Sequence, residues 1–224
     1  MAIRYPTNFP QRVNQRVPSM AYDAQIQQGG HIYVEFGTPA TASATAIVTA
    51  QDMTTAGTLT SFATTYTPTV EGMMGRYGRR LTVAGSAATT GTVTIKGRDY
   101  IGQSMVETLT LNGTTAVNGQ KAFRYVDSIS WTATATVNLS VGTTAALGVP
   151  YRIQTTAITN ELMNGATVAA GTLTVGSTAN PQTATSGDPR GLYTPSTAPN
   201  GTNTYTLMYM ADQTNLHGNA HYTT

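Results

Sequence analysis

The chain has 224 residues, no cysteine and a formal net charge of +2, and only 10% of its residues are charged. An average soluble domain carries about 25%. These figures exclude a disulfide framework, a thiolate metal site and a cysteine nucleophile. They also argue against wholesale nucleic-acid binding. Threonine fills the gap, at 44 residues, and lysine occurs only at Lys96 and Lys121, so the positive charge is almost all arginine. A chain of this length can bury about 70% of the surface it exposes when unfolded, and one domain is the expectation. No apolar run approaches the roughly 18 residues of a membrane helix. The opening Met1-Ala2-Ile3-Arg4-Tyr5-Pro6 lacks the apolar stretch of a signal peptide.

Residues 1–30 differ from the rest. They hold Arg4, Arg12 and Arg16, prolines at 6, 10 and 18, and no acid before Asp23. Three residues without an amide donor argue against a regular helix or a central strand, so an extended N-terminal arm is predicted. Two readings stand: a frayed terminus, or an arm that orders on a neighbouring subunit. The apolar Tyr5, Phe9 and Val13 suit the second.

From residue 31 the pattern is β. His31–Phe36 reads as a strand stopped by Gly37 and Pro39, and Thr41–Thr69 is a weaker Ala/Thr stretch containing 46–49 and 58–62. Glu71–Arg80 reads as a Gly-rich loop or short helix. Clear alternation follows in Leu81/Val83, Val93/Ile95, Leu109/Leu111 and Val137/Leu139/Val141, and Phe123, Tyr125, Ile129 and Trp131 are placed on one face of 122–131. Trp131 is therefore expected in the core. Gly97–Gly102 has hairpin spacing, and Asn112-Gly113 and Asn118-Gly119 supply residues that tolerate positive φ. Thr172–Val175 and Tyr205–Met210 are further strands. Ile158–Met163 is the best helical candidate, and 176–203 reads as one long Pro/Gly/Ser/Thr/Asn loop. The expected fold is all-β: an antiparallel, jelly-roll-like β-sandwich over 31–224 with an extended arm at 1–30.

Few residues point to chemistry. His217 and His221 are four apart, but Gly218 and Asn219 between them break the helix a zinc pair needs, so both read as tail residues. Asp99 and Glu107 flank one hairpin as neighbouring carboxylates of a glycosidase pair would, but one Trp is a thin aromatic complement; the plainer reading is a turn-capping Asp and a solvent-facing Glu. Gly72–Arg80 lacks the Gly-Lys-Ser/Thr ending of a phosphate loop. Its Arg76, Arg79 and Arg80 suit a solvated loop, a protein interface or nucleic acid. Asp188–Pro195 is either a structural turn or an interface loop presenting Arg190 and Tyr193. No Gly-x-Ser-x-Gly elbow occurs, and Asn-x-Ser/Thr matches are expected by chance in so Thr-rich a chain. No catalytic residue, cofactor or metal is predicted. The candidate interface residues are Arg4, Tyr5, Phe9, Arg12, Arg16, Arg76, Arg79, Arg80, Arg190 and Tyr193.

The run Thr92-Val93-Thr94-Ile95-Lys96-Gly97-Arg98-Asp99-Tyr100-Ile101-Gly102, the strand Glu107-Thr108-Leu109-Thr110-Leu111-Asn112-Gly113, then Lys121-Ala122-Phe123 and Asp127-Ser128-Ile129 form one pattern. It resembles a recurrent hairpin of tailed-bacteriophage virion proteins, found in head decoration (cement) proteins and some tail proteins. The match covers roughly 92–131. The resemblance implies a non-enzymatic structural role on the outer surface of the capsid, assembled in the host cytoplasm. Its implied partners are the major capsid protein and copies of the chain itself as a homo-oligomer; no membrane is expected, and the low net charge argues against nucleic acid. A tail-tube, head–tail connector or other tail component is the alternative of the same class. A carbohydrate- or receptor-binding β-module is the alternative of a different class.

Overall fold

The structure is a computed structural model that describes residues 30–63, 66, 72–134 and 136–221. Among them are fourteen strands and no helix. In chain order they are β1 (His31–Gly37), β2 (Val48–Asp52), β3 (Gly57–Leu59), β4 (Arg79–Gly85), β5 (Thr92–Arg98), β6 (Ser104–Thr110) and β7 (Val117–Phe123). There follow β8 (Tyr125–Trp131), β9 (Asn138–Gly148), β10 (Ile153–Met163), β11 (Ala166–Thr167), β12 (Thr172–Val175), β13 (Gly191–Thr194) and β14 (Tyr205–Ala211). No helix among the described residues is long and apolar enough to cross a membrane.

The strands form three antiparallel sheets, ordered β1-β14-β10-β11, β12-β13-β9-β4-β7 and β3-β8-β5-β6, with β2 also on β9. The fold is the all-β antiparallel sandwich that period-2 alternation predicts. The eleven-residue β9 organises it. One edge pairs with β4; the other is shared by β2, opposite Val141, and β13, opposite Gly148. Two apolar cores result. Ile47, Leu81, Val83, Val93, Ile95, Phe123, Ile129, Trp131, Leu139 and Val141 belong to the first. Val34, Phe36, Leu147, Ile153, Leu173, Tyr193, Tyr205, Leu207 and Tyr209 belong to the second.

The outer face of β3-β8-β5-β6 is hydroxylic. Thr58, Ser130, Thr94 and Thr108 lie in one cross-strand row, and the Thr94 and Thr108 hydroxyls are 3.0 Å apart. β-branched threonines paired across strands stabilise such a face without apolar burial, which accounts for much of the threonine excess in this part of the chain.

Local differences from expectation have identifiable causes. Ile158–Met163 lies within β10, because pairing with β14 overrides its local preference. Residues 73–77 are turn, and Arg79 and Arg80 already belong to β4. The 176–203 stretch is interrupted by β13, which pairs with β12 and β9. Asn118-Gly119 lies inside β7 rather than at a turn. The single face expected across 122–131 is broken twice. β7 ends at Phe123, and the β5–β8 register jumps from Lys96↔Ser128 to Gly97↔Val126. The extra residue, Asp127, is a bulge that reverses the alternation. Val126 is therefore buried and Tyr125 half-exposed, while Ile129 and Trp131 stay inside.

Candidate functional site

Asp99 occupies the β5–β6 turn, as the hairpin spacing predicts. Its Oδ1 accepts the amides of Ile101 at 3.0 Å and Gln103 at 2.8 Å, the local bonding that makes Asp a turn residue. Gly102 completes the reversal at φ +87°. Arg190 Nη1 donates to Asp99 Oδ2 at 2.9 Å, with both side chains buried. The guanidinium also lies 4.9 Å from the centroid of the Tyr100 ring, and the Tyr100 hydroxyl donates to the Pro150 carbonyl at 2.6 Å. His221 closes the cluster, with Nε2 3.6 Å from the same Asp99 oxygen. Burial lowers the imidazole pKa; Asp188 and Asp99 oppose that shift, and Arg190 and Lys121 add to it.

A second set of buried charges adjoins the first. The Gln120 amide donates to Glu107 Oε1, while Glu107 Oε2 is buried without a hydrogen-bond partner. Burial pushes the Glu107 carboxyl up to about 7, against the pull of the Gln120 amide and of Lys121. Lys121 Nζ donates to the Val106 and Thr183 carbonyls at 2.8 and 2.7 Å, and burial lowers its pKa. Asp188 accepts the Ala122 amide on Oδ2 and the Arg190 amide on Oδ1. Its own amide donates to Gln120.

These groups join distant pieces of chain: the β5–β6 turn, β6, β7, the segment before β13, and the stretch ending at His221. Their partners are internal, and Asp99, Glu107, Lys121, Asp188, Arg190 and His221 are all buried. The arrangement acts as a joint that locks two loops onto the hairpin. Asp99 caps its turn as expected. Glu107 is not solvent-facing and His221 is not an exposed tail residue, because each fills space in this joint; His217 is exposed beside Tyr151. Arg190 and Tyr193, expected on a presented loop, are also inside: Tyr193 is carried into the sheet by β13, and Arg190, just before that strand, is held by Asp99.

The arginines of 76–80 separate. Arg79 is fully buried, donating through Nη1 to the Ala40 and Met73 carbonyls at 2.6 and 3.1 Å and through Nε to Thr144. Burial lowers its pKa to about 10. It ties the 40 and 73 segments together and is withdrawn from any surface role. Arg76 and Arg80 are half-buried. Arg76 lines an open groove of about 470 Å³ with Glu35, Thr38, Thr204, Tyr205 and Thr206. On the hairpin, Arg98 and Arg124 lie 5.1 and 4.8 Å from the Tyr125 ring centroid, and Arg98 pairs with exposed Asp127. Arg4, Tyr5, Phe9, Arg12 and Arg16 lie outside the described residues.

The joint carries one signal that sequence reasoning overlooked. Glu107 falls on the apolar parity of Met105 and Leu109, Lys121 on that of Phe123, and Arg79 on that of Leu81 and Val83. A charged residue on an inward parity marks a buried charge. His221 and Arg190 have no such marker, because their partner Asp99 is far away in the chain.

Comparison with models of protein families, with curated proteins and with solved structures finds no match.

Proposed function

We propose that this chain is a non-enzymatic structural protein of a tailed-bacteriophage virion, of head decoration type, that binds the capsid lattice and copies of itself. The observation that carries the reading is the β5–β6 hairpin with β7 and β8, whose residues resemble the virion hairpin. In this chain Thr92–Arg98 and Ser104–Thr110 pair without interruption, and the turn between them is pinned by Asp99 and Arg190. A rigid hairpin with a hydroxylic outer face suits a protein that works by surface complementarity in many copies. Each bound copy stabilises only the assembled shell, by mass action.

The test is to mix purified protein with undecorated heads and image the particles. Regular coverage of the head surface is expected. Binding confined to the tail or connector supports the tail-component reading instead, and no binding to heads or tails overturns both.

A further inference from the structure

We propose that about seven consecutive residues from within 3–17 of one copy add as a parallel strand to the free edge of β1, itself seven residues long, in a second copy. The inference deepens the self-association named above, and its test uses isolated protein, so that failure of arm docking and failure of particle binding are read separately.

The first observation is in the arm. Prolines 6, 10 and 18 all fall on even positions, as do Arg4, Arg12 and Arg16, whereas Ile3, Tyr5, Phe9, Val13 and Val17 are all odd. Along an extended chain, successive residues turn their amide and carbonyl groups to opposite edges and their side chains to opposite faces. The prolines therefore remove donors from one edge only. Every residue from 3 to 17 on the other edge keeps its N–H. One face is apolar at intervals, and the other bears all the arginines. This is the pattern of an edge strand, where proline is tolerated on the solvent side.

The second observation is the receiving edge. β1 pairs only with β14 among the described residues. The Ala211 amide donates to Gly30 at 2.7 Å, and the register continues His31↔Met210. Gly30, Ile32 and Val34 thus turn their backbone groups to β14, and His31, Tyr33 and Glu35 present theirs to the open edge. The side chains divide the same way. Val34 and Phe36 are buried in the second core, while Glu35 and Tyr33, 56% exposed, lie on the outer face. The other edge strands are shorter or covered: β3, β11 and β12 have three, two and four residues. The Thr108 amide of β6 donates to the Ala184 carbonyl, and β7 is held by Asp188.

Orientation follows from matching the two. In an antiparallel addition, bonded residues stand opposite one another on one face, so the odd arm residues would share the face of Tyr33 and Glu35. The arginines would then be turned toward the core side. In a parallel addition the odd arm residues bond to His31, Tyr33 and Glu35 but stand opposite Ile32 and Val34. Tyr5, Phe9 and Val13 then extend the apolar core face, and the arginines lie on the face of Glu35, the acidic residue of the adjoining groove. Only the parallel form satisfies donors, apolar face and charge together. It also selects the occupant. A chain's own arm would have to return along the whole of β1 between residues 18 and 30, the crossover that parallel pairing requires. A second copy's arm needs no return.

The absence of cysteine makes disulfide capture clean. Asn8→Cys or Asn14→Cys chains, mixed with Tyr33→Cys chains, are expected to give a mixed covalent dimer about tenfold faster than with a Thr58→Cys control on another sheet, the advantage of a docked over a diffusing partner. Glu35→Arg is expected to slow capture, and Arg12→Glu with Arg16→Glu to restore it. Capture no faster than the control overturns the proposal. So does preferential capture by odd-position Thr7→Cys, which marks an antiparallel arm. A monomeric disulfide in dilute Asn8→Cys/Tyr33→Cys protein, the mark of a chain binding its own arm, overturns it too.

Discussion

Arg190 and Asp99 form a buried ion pair, Nη1 to Oδ2 at 2.9 Å, that ties the segment entering β13 to the turn between β5 and β6. Removing one partner of such a pair strands the other charge away from water, at a cost of about 3–5 kcal/mol. Arg190→Met alone is expected to lower stability by that order. Asp99→Asn keeps an oxygen for the Ile101 and Gln103 amides, so Asp99→Asn/Arg190→Met is expected to lose less than the sum of its single changes. Urea midpoints of the four proteins close the cycle. Strict additivity would show that the pair is not coupled.

Glu107 gives stability an unusual pH slope. Its carboxyl titrates near 7 in the folded chain, against an ordinary value of 4.5. The folded state holds the proton that the unfolded state releases, so this contribution is full below 4.5 and is lost as pH rises to about 7. The loss is about 3 kcal/mol at 1.36 kcal/mol per unit. His221 acts oppositely: with its pKa below 6.5, its contribution is full above 6.5 and is lost as pH falls. Glu107→Gln is expected to abolish the decline between pH 4.5 and 7 and leave the His221 slope exposed. Denaturant titrations across pH 4–8 measure both; an unchanged slope in Glu107→Gln would place the titration elsewhere.

Trp131 is 9% exposed, and its Nε1 donates to the Thr55 carbonyl at 2.9 Å. It belongs to the core shared by Val93, Ile95 and Ile129. Truncating a buried aromatic costs about 3–5 kcal/mol, and here the Thr55 bond is lost as well. Trp131→Ala is expected to melt far below the parent chain, with Trp131→Phe between the two. Equal melting of Trp131→Ala and the parent would mean that this face of β8 is not core.

Strands were legible where one face meets a core and the other meets water. Leu81/Val83, Val93/Ile95 and Leu139/Val141 alternate cleanly for that reason, and each is fully buried. The reading failed where tertiary pairing sets the conformation. The bulge at Asp127 reverses a face within one strand, and β10 draws Ile158–Met163 out of a helical pattern. The buried joint was only half legible. Inward parity marks Glu107 and Lys121, but nothing local links Asp99 with Arg190 or His221. A spacing argument reaches along one element; this joint is made where five separate segments meet.

Gly119 isolates one contact of that joint. It lies inside β7 with no positive φ, so alanine is an ordinary strand residue there and would gain roughly 0.5–1 kcal/mol through reduced backbone freedom. A Cβ at this position, however, would stand 2.4 Å from Glu107 Oε2 and 2.9 Å from its Cδ. The carboxylate cannot move aside freely, because its other oxygen holds the Gln120 amide. Gly119→Ala is therefore expected to destabilise the parent chain. In a Glu107→Ala background the obstacle is gone, and the same change is expected to stabilise. Two residues in contact are where additivity fails, and a reversal of sign is the strongest form of that failure. Chemical denaturation of the parent, the two single variants and the double variant measures it. The same sign in both backgrounds would show that Glu107 does not lie over Gly119.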